Sequence, residues 1–249
     1  MPQTAPFLRQ VFAVPASFPQ DVGYPFDLPW VRGLDLTFTS PVAFLVGENG
    51  SGKSTLLEAI ADKARLPVSG GSRQELQQNT GPDSESPLAQ GIRARWGMKP
   101  RDGYFLRAEF HAHFASLLEA RKNDPDFLGN PYDVYGGRSL FTQSHGEAFL
   151  AIMQNRFEEG FFLLDEPESA LSPQRQLALL SLIDSLVQEG GSQFIIATHS
   201  PILMTFPGAQ IHCFEDGVLK ELPLEETQHF QITRRILNDR ESYWRYLRE

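Results

Sequence analysis

A glycine-rich segment, Gly47–Ser54, has the residue types that can hold a phosphate chain. It reads Gly-Glu-Asn-Gly-Ser-Gly-Lys-Ser and matches the pattern G-x-x-x-x-G-K-[ST] at every fixed position. The glycines let the backbone wrap so that its N–H groups converge on phosphate oxygens. Lys53 can reach the β- and γ-phosphates, and the Ser54 hydroxyl can ligate Mg²⁺. The predicted phosphate-binding residues are Gly47, Glu48, Asn49, Gly50, Ser51, Gly52, Lys53, Ser54 and Thr55.

The segments on either side of this loop are those that the pattern requires. An apolar run, Val42 to Val46, precedes it and predicts a strand, and residues 55–61 predict a helix after it. The N-terminus of that helix adds positive potential for an anion. The alternative is a glycine-rich turn that only caps a helix, and this context disfavours it.

Two acids follow a second apolar run. Phe161 to Leu164 is typical of a central parallel strand, and Asp165 and Glu166 come directly after it. Ligands bind at the carboxyl ends of strands in open α/β sheets, so Asp165 can join Ser54 around Mg²⁺. Glu166 can polarise the water that attacks the γ-phosphate. The alternative is that both acids only cap a turn. The predicted phosphate-binding loop earlier in the chain disfavours this alternative.

The elements that position these residues alternate between strands and helices. The predicted strands are 7–14, 34–38, 42–46, 104–110, 161–164 and 194–197, and a hairpin is predicted over 210–222. The predicted helices are 55–61, 111–122, 146–157 and 227–247, the last with a break near 238–239. A further helix is predicted to begin at Ser172-Pro173. We therefore predict an α/β fold, a P-loop NTPase with a mostly parallel sheet flanked by helices, an antiparallel N-terminal part and a small helical and loop insertion.

One domain is expected over residues 1–249. The polar span at about 66–92 contains glycine, proline and serine and predicts a flexible loop. A helical subdomain is predicted at about 111–157.

These residues together resemble the ATP-binding-cassette ATPase family. Ser169-Ala170-Leu171-Ser172 looks like the D-loop of that family, and Ala197-Thr198-His199-Ser200 looks like its switch histidine. Ser144-His145-Gly146-Glu147 lies where the family's signature Leu-Ser-Gly-Gly-Gln falls. The resemblance covers residues from about 34 to 222 and implies ATP and Mg²⁺ as the bound cofactors.

The signature departs from the transporter pattern. Gln143 stands where leucine is usual, His145 replaces the first glycine, and Glu147 replaces glutamine. Glu109 is our candidate for the Q-loop position, where the resemblance implies a metal ligand. These departures look more like the stand-alone ATPases labelled AAA-family in bacterial genomes, which are related to the heads of chromosome-maintenance and DNA-repair ATPases.

The resemblance also implies how the residues work together. In this family two nucleotides are sandwiched between two heads, so Ser144 and Gly146 are expected to touch the γ-phosphate of the opposite subunit. Glu166 and His199 are the expected catalytic residues. We expect an ATP-dependent homodimer that acts in DNA maintenance or phage defence. The alternatives are the nucleotide-binding subunit of a membrane transporter and a regulator that binds ATP without turnover.

The net charge of the chain is relevant to whether it binds nucleic acid. Among 249 residues, Lys and Arg number 22 and Asp and Glu number 31, a net charge of -9 that disfavours a general nucleic-acid coat. One local cluster interleaves basic and aromatic side chains: Arg93, Arg95, Trp96, Lys99, Arg101, Tyr104, Phe105 and Arg107. It suggests either a surface for single-stranded nucleic acid or, as we favour, a solvated charged face. A nucleic acid and an effector protein remain candidate partners.

The apolar runs are too short for a membrane helix, which needs roughly 18 residues. The N-terminal residues do not have the pattern of a signal peptide, and the single cysteine, Cys213, fits a reducing compartment. We therefore expect a cytoplasmic protein without direct membrane insertion. An aromatic residue ahead of the loop should stack on adenine, and Tyr24, Phe26 and Trp30 are the candidates.

Overall fold

Two sheets and the helices around them make up the molecule. The computed structural model describes residues 5–21, 23–72, 85–107, 122, 129–130, 132–133, 137 and 145–248. The strands are β1 (Leu8–Ala13), β2 (Asp35–Thr37), β3 (Val42–Gly47), β4 (Gly71–Ser72), β5 (Ile92–Trp96), β6 (Gly103–Arg107), β7 (Gly160–Asp165), β8 (Ser192–Ala197), β9 (Gln210–Glu215) and β10 (Val218–Glu221). The helices are α1 (Lys53–Ala64), α2 (Pro87–Gln90), α3 (His145–Arg156), α4 (Pro173–Gln188), α5 (Gln228–Asn238) and α6 (Arg240–Tyr246).

The larger sheet is mostly parallel. Its strand order among the described residues is β10-β9-β3-β8-β7-β6-β4. The five central strands are parallel to their neighbours, whereas β10 and β4 pair antiparallel at the two edges. A smaller antiparallel sheet has the order β2-β1-β5. The predicted fold class, a parallel α/β sheet with an antiparallel N-terminal part, is therefore confirmed.

Both faces of the larger sheet are buried, which explains its unbroken apolar strands. Along β3, Phe44 and Val46 lie in one core with side chains of α3 and α4. Ala43 and Leu45 lie in the other core, between the sheet, α1 and the antiparallel sheet. A strand buried on both faces is held firmly in register, and β3 therefore fixes the position of the loop that follows it.

Helix α1 starts at the phosphate-binding loop. Gly52 has a left-handed backbone conformation with φ 95°, and the helix begins at the next residue, Lys53. Leu56, Leu57 and Ile60 are fully buried against the sheet. This packing fixes the first turn of α1, which carries Lys53 and Ser54, at the carboxyl edge of the parallel strands.

The span 66–92, predicted to be a flexible loop, contains short elements among its described residues. These are β4, α2 and the first residue of β5. Residues 73–84 lie outside the described residues, so the loop stays a prediction. Pro87 occupies the first turn of α2, which favours a helix start, and Leu88 is fully buried. The helix predicted over 111–122 and most of the subdomain at 111–157 lie outside the described residues, apart from α3.

The C-terminal predictions agree with the structure. The hairpin of β9 and β10 turns at Asp216-Gly217, and the break between α5 and α6 falls at Asp239. Within the part of the chain that the structure describes, no helix is both long enough and apolar enough to span a membrane.

Candidate active site

Three segments meet at the carboxyl edge of the larger sheet. Strand β8 lies between β3 and β7, and each of these strands ends in one of the predicted motifs. The Ser54 hydroxyl donates a hydrogen bond to Asp165 Oδ1 at 3.0 Å, although the two residues are 111 positions apart in the chain. The phosphate-binding loop and the acid pair therefore form one site.

The loop at 47–54 is closed around the ammonium group of Lys53. Lys53 Nζ donates to the carbonyl oxygens of Gly47 at 2.7 Å and Glu48 at 3.1 Å. Burial lowers the pKa of Lys53, while Glu166 and Asp165 oppose that shift. A largely buried cation beneath a glycine-rich loop is an arrangement suited to an anion with several negative charges.

Trp30 supports the loop from outside. Its indole Nε1–H donates to the carbonyl oxygen of Ser51 at 2.8 Å, and its side chain is buried. The Ser51 hydroxyl is also buried, and no described residue forms a hydrogen bond with it. A buried hydroxyl without a partner is costly, so this group is suited to a ligand oxygen.

Asp165 lies between a hydroxyl and a guanidinium. Its Oδ2 is 3.5 Å from Arg107 Nε, and Arg107 Nη1 lies 2.8 Å from Glu58 Oε1. Burial raises the pKa of Asp165 to about 6, and Arg107 and the hydrogen bond from Ser54 act against that shift. In the sequence Arg107 belongs to the basic and aromatic cluster. The structure places it at the end of β6, paired in register with Asp165, and this contact has no signal in the sequence.

Glu166 has an uncommon backbone conformation. Its φ is 48° and its ψ is 53°, in the left-handed region, and Pro167 follows it. This conformation costs roughly 1–2 kcal/mol for a residue with a side chain and is often found at functional sites. The Glu166 N–H donates to Ala197 O at 2.9 Å, which ties the residue to the end of β8. The side chain of Glu166 is 40% exposed, so water can reach it.

His199 contacts three side chains. Its backbone N–H donates to Glu168 Oε1 at 2.5 Å, and its Nδ1 lies 3.2 Å from His229 Nε2. Its Nε2 lies 3.3 Å from Glu166 Oε1 without the alignment of a hydrogen bond, and it has no hydrogen-bond partner among the described residues. Neither Glu168 nor His229 was among the predicted site residues. His229 falls in the helix predicted over 227–247, and the sequence pattern of that helix does not link it to the site.

Comparisons with known proteins point in the same direction as this geometry. Residues 26–62 match the model of a family described as an AAA domain. Residues 110–205 match the model described as "AAA domain, putative AbiEii toxin, Type IV TA system".

Two curated relatives are ATP-binding proteins. The energy-coupling factor transporter ATP-binding protein EcfA2 of Latilactobacillus sakei is 26% identical over 205 residues, which are 74% of this chain and 67% of that protein. The lipoprotein-releasing system ATP-binding protein LolD of a Ruegeria species is 28% identical over 230 residues, 80% of this chain and 92% of that protein. The chain resembles the ATP-binding-cassette ATPases.

A solved structure shares the fold. An ATP-binding cassette of an ABC transporter superposes with a TM-score of 0.52 at 15% identity, and the match covers 98% of this chain and 99% of that chain. The chain thus has the fold and the motifs of an ABC-type ATPase nucleotide-binding domain.

The segment that resembles the ABC signature packs on the segment that resembles the D-loop. A Cβ atom placed on Gly146 would lie 2.8 Å from Ala170 O and 2.5 Å from Arg175 Nη1. The start of α3 therefore contacts the D-loop-like segment at Ala170. Ser144 and Glu109 lie outside the described residues, so their predicted roles at the γ-phosphate and at the metal stay predictions.

The described residues fit ATP with Mg²⁺. The Ser51 hydroxyl and His199 Nε2 are buried polar atoms without hydrogen-bond partners in the described part of the chain, and both belong to motifs at this edge. Ser54 and Asp165 offer an adjacent pair of oxygen ligands. No cluster of three or more His, Cys, Asp or Glu suited to a metal occurs among the described residues. The pair of Ser54 and Asp165 suits Mg²⁺, which is usually held by one or two carboxylates together with substrate phosphates.

The aromatic candidates for adenine differ in exposure. Trp30 and Phe26 are buried, whereas Tyr24 is 70% exposed. The Tyr24 hydroxyl lies 2.5 Å from Thr55 Oγ1, beside the phosphate-binding loop. Of these three residues, Tyr24 is therefore the one whose ring face is available to a base.

The basic and aromatic cluster does not form a stacking surface. Tyr104 and Phe105 are buried, Trp96 packs edge-on against Phe161, and Arg95 lies over the ring of Phe12. These contacts favour the solvated charged face over a site for single-stranded nucleic acid.

Proposed function

We propose that this chain binds ATP with Mg²⁺ and hydrolyses it as an ATP-sandwiched dimeric switch. The observation that carries the proposal is the meeting of Ser54, Asp165, Glu166 and His199 at one edge of the sheet, beside the closed loop around Lys53. Each of these side chains has the chemistry that hydrolysis of a phosphoanhydride requires.

Each residue has a separate task in this proposal. Lys53 and the loop N–H groups bind the β- and γ-phosphates. Ser54 and Asp165 hold Mg²⁺, which neutralises phosphate charge when it is bound. Glu166 accepts a proton from the attacking water as the general base. Its side chain is 40% exposed at the edge of the site, which allows water to reach it. His199 donates from Nε2 to the γ-phosphate.

The dimeric part of the proposal concerns the signature. Gly146 lies in the first turn of α3, and Ser144 directly precedes this helix in the sequence. A helix N-terminus favours an anion. In the proposed dimer Ser144 and the backbone at Gly146 contact the γ-phosphate that the opposite subunit holds. The packing of Gly146 on Ala170 supports this arrangement, since it links the signature to the D-loop within each subunit.

We further propose that hydrolysis serves DNA maintenance or phage defence. The description of the family matched at residues 110–205, which names a toxin of a toxin–antitoxin system, supports a role of this kind. A transporter subunit is the second candidate, because EcfA2 and LolD are named as parts of transport or release systems. The irregular signature argues against it.

Phosphate release tests the hydrolysis. We expect the wild-type protein to release phosphate from ATP in the presence of Mg²⁺. Glu166→Gln should bind ATP but turn it over at least tens of times more slowly, since a positioned base contributes roughly 10²–10⁴-fold. Glu189→Gln, which changes a carboxylate at the far end of α4, is the matched control. If Glu166→Gln is as fast as the wild type, Glu166 is not the base; if the wild type releases no phosphate, the chain is a regulator without turnover.

A further inference from the structure

His199 has a side chain close to each of its ring nitrogens. On one side, Nε2 lies 3.3 Å from Glu166 Oε1. On the other, Nδ1 lies 3.2 Å from Nε2 of His229, a residue of α5 that is 30 positions away in the chain. The sequence motifs assign roles to Glu166 and His199, but they assign no role to His229.

We infer that His229 is a positioning residue whose Nε2–H donates to Nδ1 of His199. This hydrogen bond orients the His199 ring and keeps the His199 proton on Nε2, the atom that faces Glu166 and the γ-phosphate side of the site. The consequence for turnover rests on the proposed ATP hydrolysis, whereas the hydrogen bond itself does not.

The direction of this hydrogen bond follows from the partners of His199. An ionised carboxylate only accepts hydrogen bonds, and so do the oxygens of a phosphate. If the proton of His199 were on Nδ1, the lone pair of Nε2 would face the lone pairs of Glu166. In a neutral His199 that carries its proton on Nε2, the open nitrogen is Nδ1. The proton between the two rings, whose nitrogens are 3.2 Å apart, then comes from His229.

The surroundings of His229 favour a neutral ring in a fixed position. Burial, and after it the neighbouring His199 and Lys53, lower the pKa of His229 against the opposing effect of Glu48. A neutral imidazole carries a single N–H, so His229 is a donor at one nitrogen only.

The start of α5 is anchored. Thr227 is fully buried, its hydroxyl donates to Leu224 O at 2.8 Å, and the same oxygen accepts from Phe230 N at 3.4 Å. This cap holds the first turn of α5, with His229, against the site. Most of the remaining side chains of α5 are exposed. Among the described residues, His229 is a contact between α5 and the predicted catalytic residue His199.

Loss of the His229 side chain is expected to slow ATP turnover more than it weakens ATP binding. Lys53 and the glycine-rich loop bind most of the triphosphate in the proposed function. Among the described hydrogen bonds, the ring of His229 contacts His199 and not these residues. Loss of one orienting hydrogen bond should slow the chemical step roughly tenfold. The KM for ATP should stay within about threefold.

Nitrogen-15 spectra of the histidine rings test the hydrogen bond without nucleotide. In the wild type, His199 should show a protonated Nε2 and an unprotonated Nδ1 that accepts a hydrogen bond; the His199→Gln variant identifies its signals. In His229→Ala the Nδ1 signal should move to the position of a free imine nitrogen. A proton on Nδ1 of His199 in the wild type, or an Nδ1 signal unchanged in His229→Ala, overturns the inference.

Steady-state kinetics test the consequence. His229→Ala should lower kcat roughly tenfold, and His229→Gln, whose amide N–H can donate to the same nitrogen, should recover kcat to within about threefold of the wild type. Gln228→Ala, an exposed neighbour on the same turn, is the control, and thermal melts verify folding. Equal loss in His229→Gln and His229→Ala, or an effect on KM alone, contradicts the positioning role. If the wild type does not hydrolyse ATP, the proposed function fails while the spectra still test His229.

Discussion

Lys53 combines burial with charge, and this makes it the most sensitive single residue for ligand binding. Its side chain is 3% exposed, and its ammonium group donates to Gly47 O and Glu48 O. Lys53→Ala should weaken MgATP binding by roughly ten- to a hundredfold, because a hydrogen bond to a charged group contributes about 1.5–3 kcal/mol. Calorimetry in Mg²⁺ measures this, with Lys63→Ala on the same helix as the control. Equal affinity in both variants would show that the loop does not hold the phosphates.

Asp165 makes stability depend on pH. Its pKa rises from 3.8 to about 6 in the folded protein, chiefly through burial. The folded state therefore holds this proton more tightly than the unfolded chain, and the stabilisation is present below pH 4 and lost as the pH rises through about 6. A shift of about two units corresponds to about 3 kcal/mol.

Asp165→Asn should remove that pH dependence. Between pH 4 and pH 7, without Mg²⁺, the free energy of unfolding of the wild type should fall by up to about 3 kcal/mol relative to the variant. Urea denaturation at the two pH values measures this, and Asp184→Asn on the exposed face of α4 is the control. If the free energy of unfolding changed equally with pH in the wild type and in Asp165→Asn, the raised pKa would not belong to Asp165.

Residues within local motifs could be predicted from the sequence, but their tertiary partners could not. Lys53, Ser54 and Asp165 belong to short patterns whose chemistry depends on neighbouring residues. Arg107 and His229 reach the site only because β6 lies beside β7 and because α5 returns to the end of β8. Neither of these two tertiary contacts leaves a periodic signal in the amino-acid sequence.

At the level of elements, the loop between β3 and α1 is shaped by its packing against Trp30. Gly50 and Gly52 both have positive φ, of 79° and 95°. A Cβ on Gly50 would meet nothing within 4 Å, whereas a Cβ on Gly52 would lie 2.8 Å from Trp30 Cζ2 and 3.0 Å from Leu28 Cδ1. Trp30 is also held by its hydrogen bond to Ser51 O, so it cannot move without losing that contact.

These two glycines form a matched pair for a stability test. Both alanine substitutions should cost roughly 1–2 kcal/mol for the left-handed conformation. Gly52→Ala should cost roughly 1–3 kcal/mol more, because the added methyl group overpacks the site against Trp30. Urea denaturation of the two variants measures the difference. Equal losses would show that Trp30 does not constrain the loop.

The buried elements were predictable because their residues share one environment. Strands β3, β7 and β8 are buried along their whole lengths and appear as apolar runs. Strand β5 was missed although its arginines alternate with apolar residues, which is the pattern of a half-buried strand. The segment is short, and its partner β1 lies some 80 positions earlier. Its pairing depends on contacts that are distant in sequence.

At the scale of the whole molecule, the net charge affects the association of two copies of the chain. Two copies that each carry a net charge of -9 repel one another at long range. A dimer of this chain therefore needs specific contacts that outweigh the repulsion. In the proposed switch those contacts form at the γ-phosphate, so the dimer should depend on ATP and disappear after hydrolysis.

A trapped dimer is the expected result when hydrolysis is blocked. Glu166→Gln should form a dimer in ATP and Mg²⁺ but not in ADP, because only the γ-phosphate bridges the two subunits. Adding Ser144→Arg should return the protein to monomers by steric block, while each monomer still binds ATP through Lys53. Size exclusion coupled to light scattering measures the mass, and Glu166→Gln with Gln228→Ala is the control. A dimer that persists without nucleotide and in Ser144→Arg would overturn the sandwich, because neither the γ-phosphate nor the signature would then hold the subunits together.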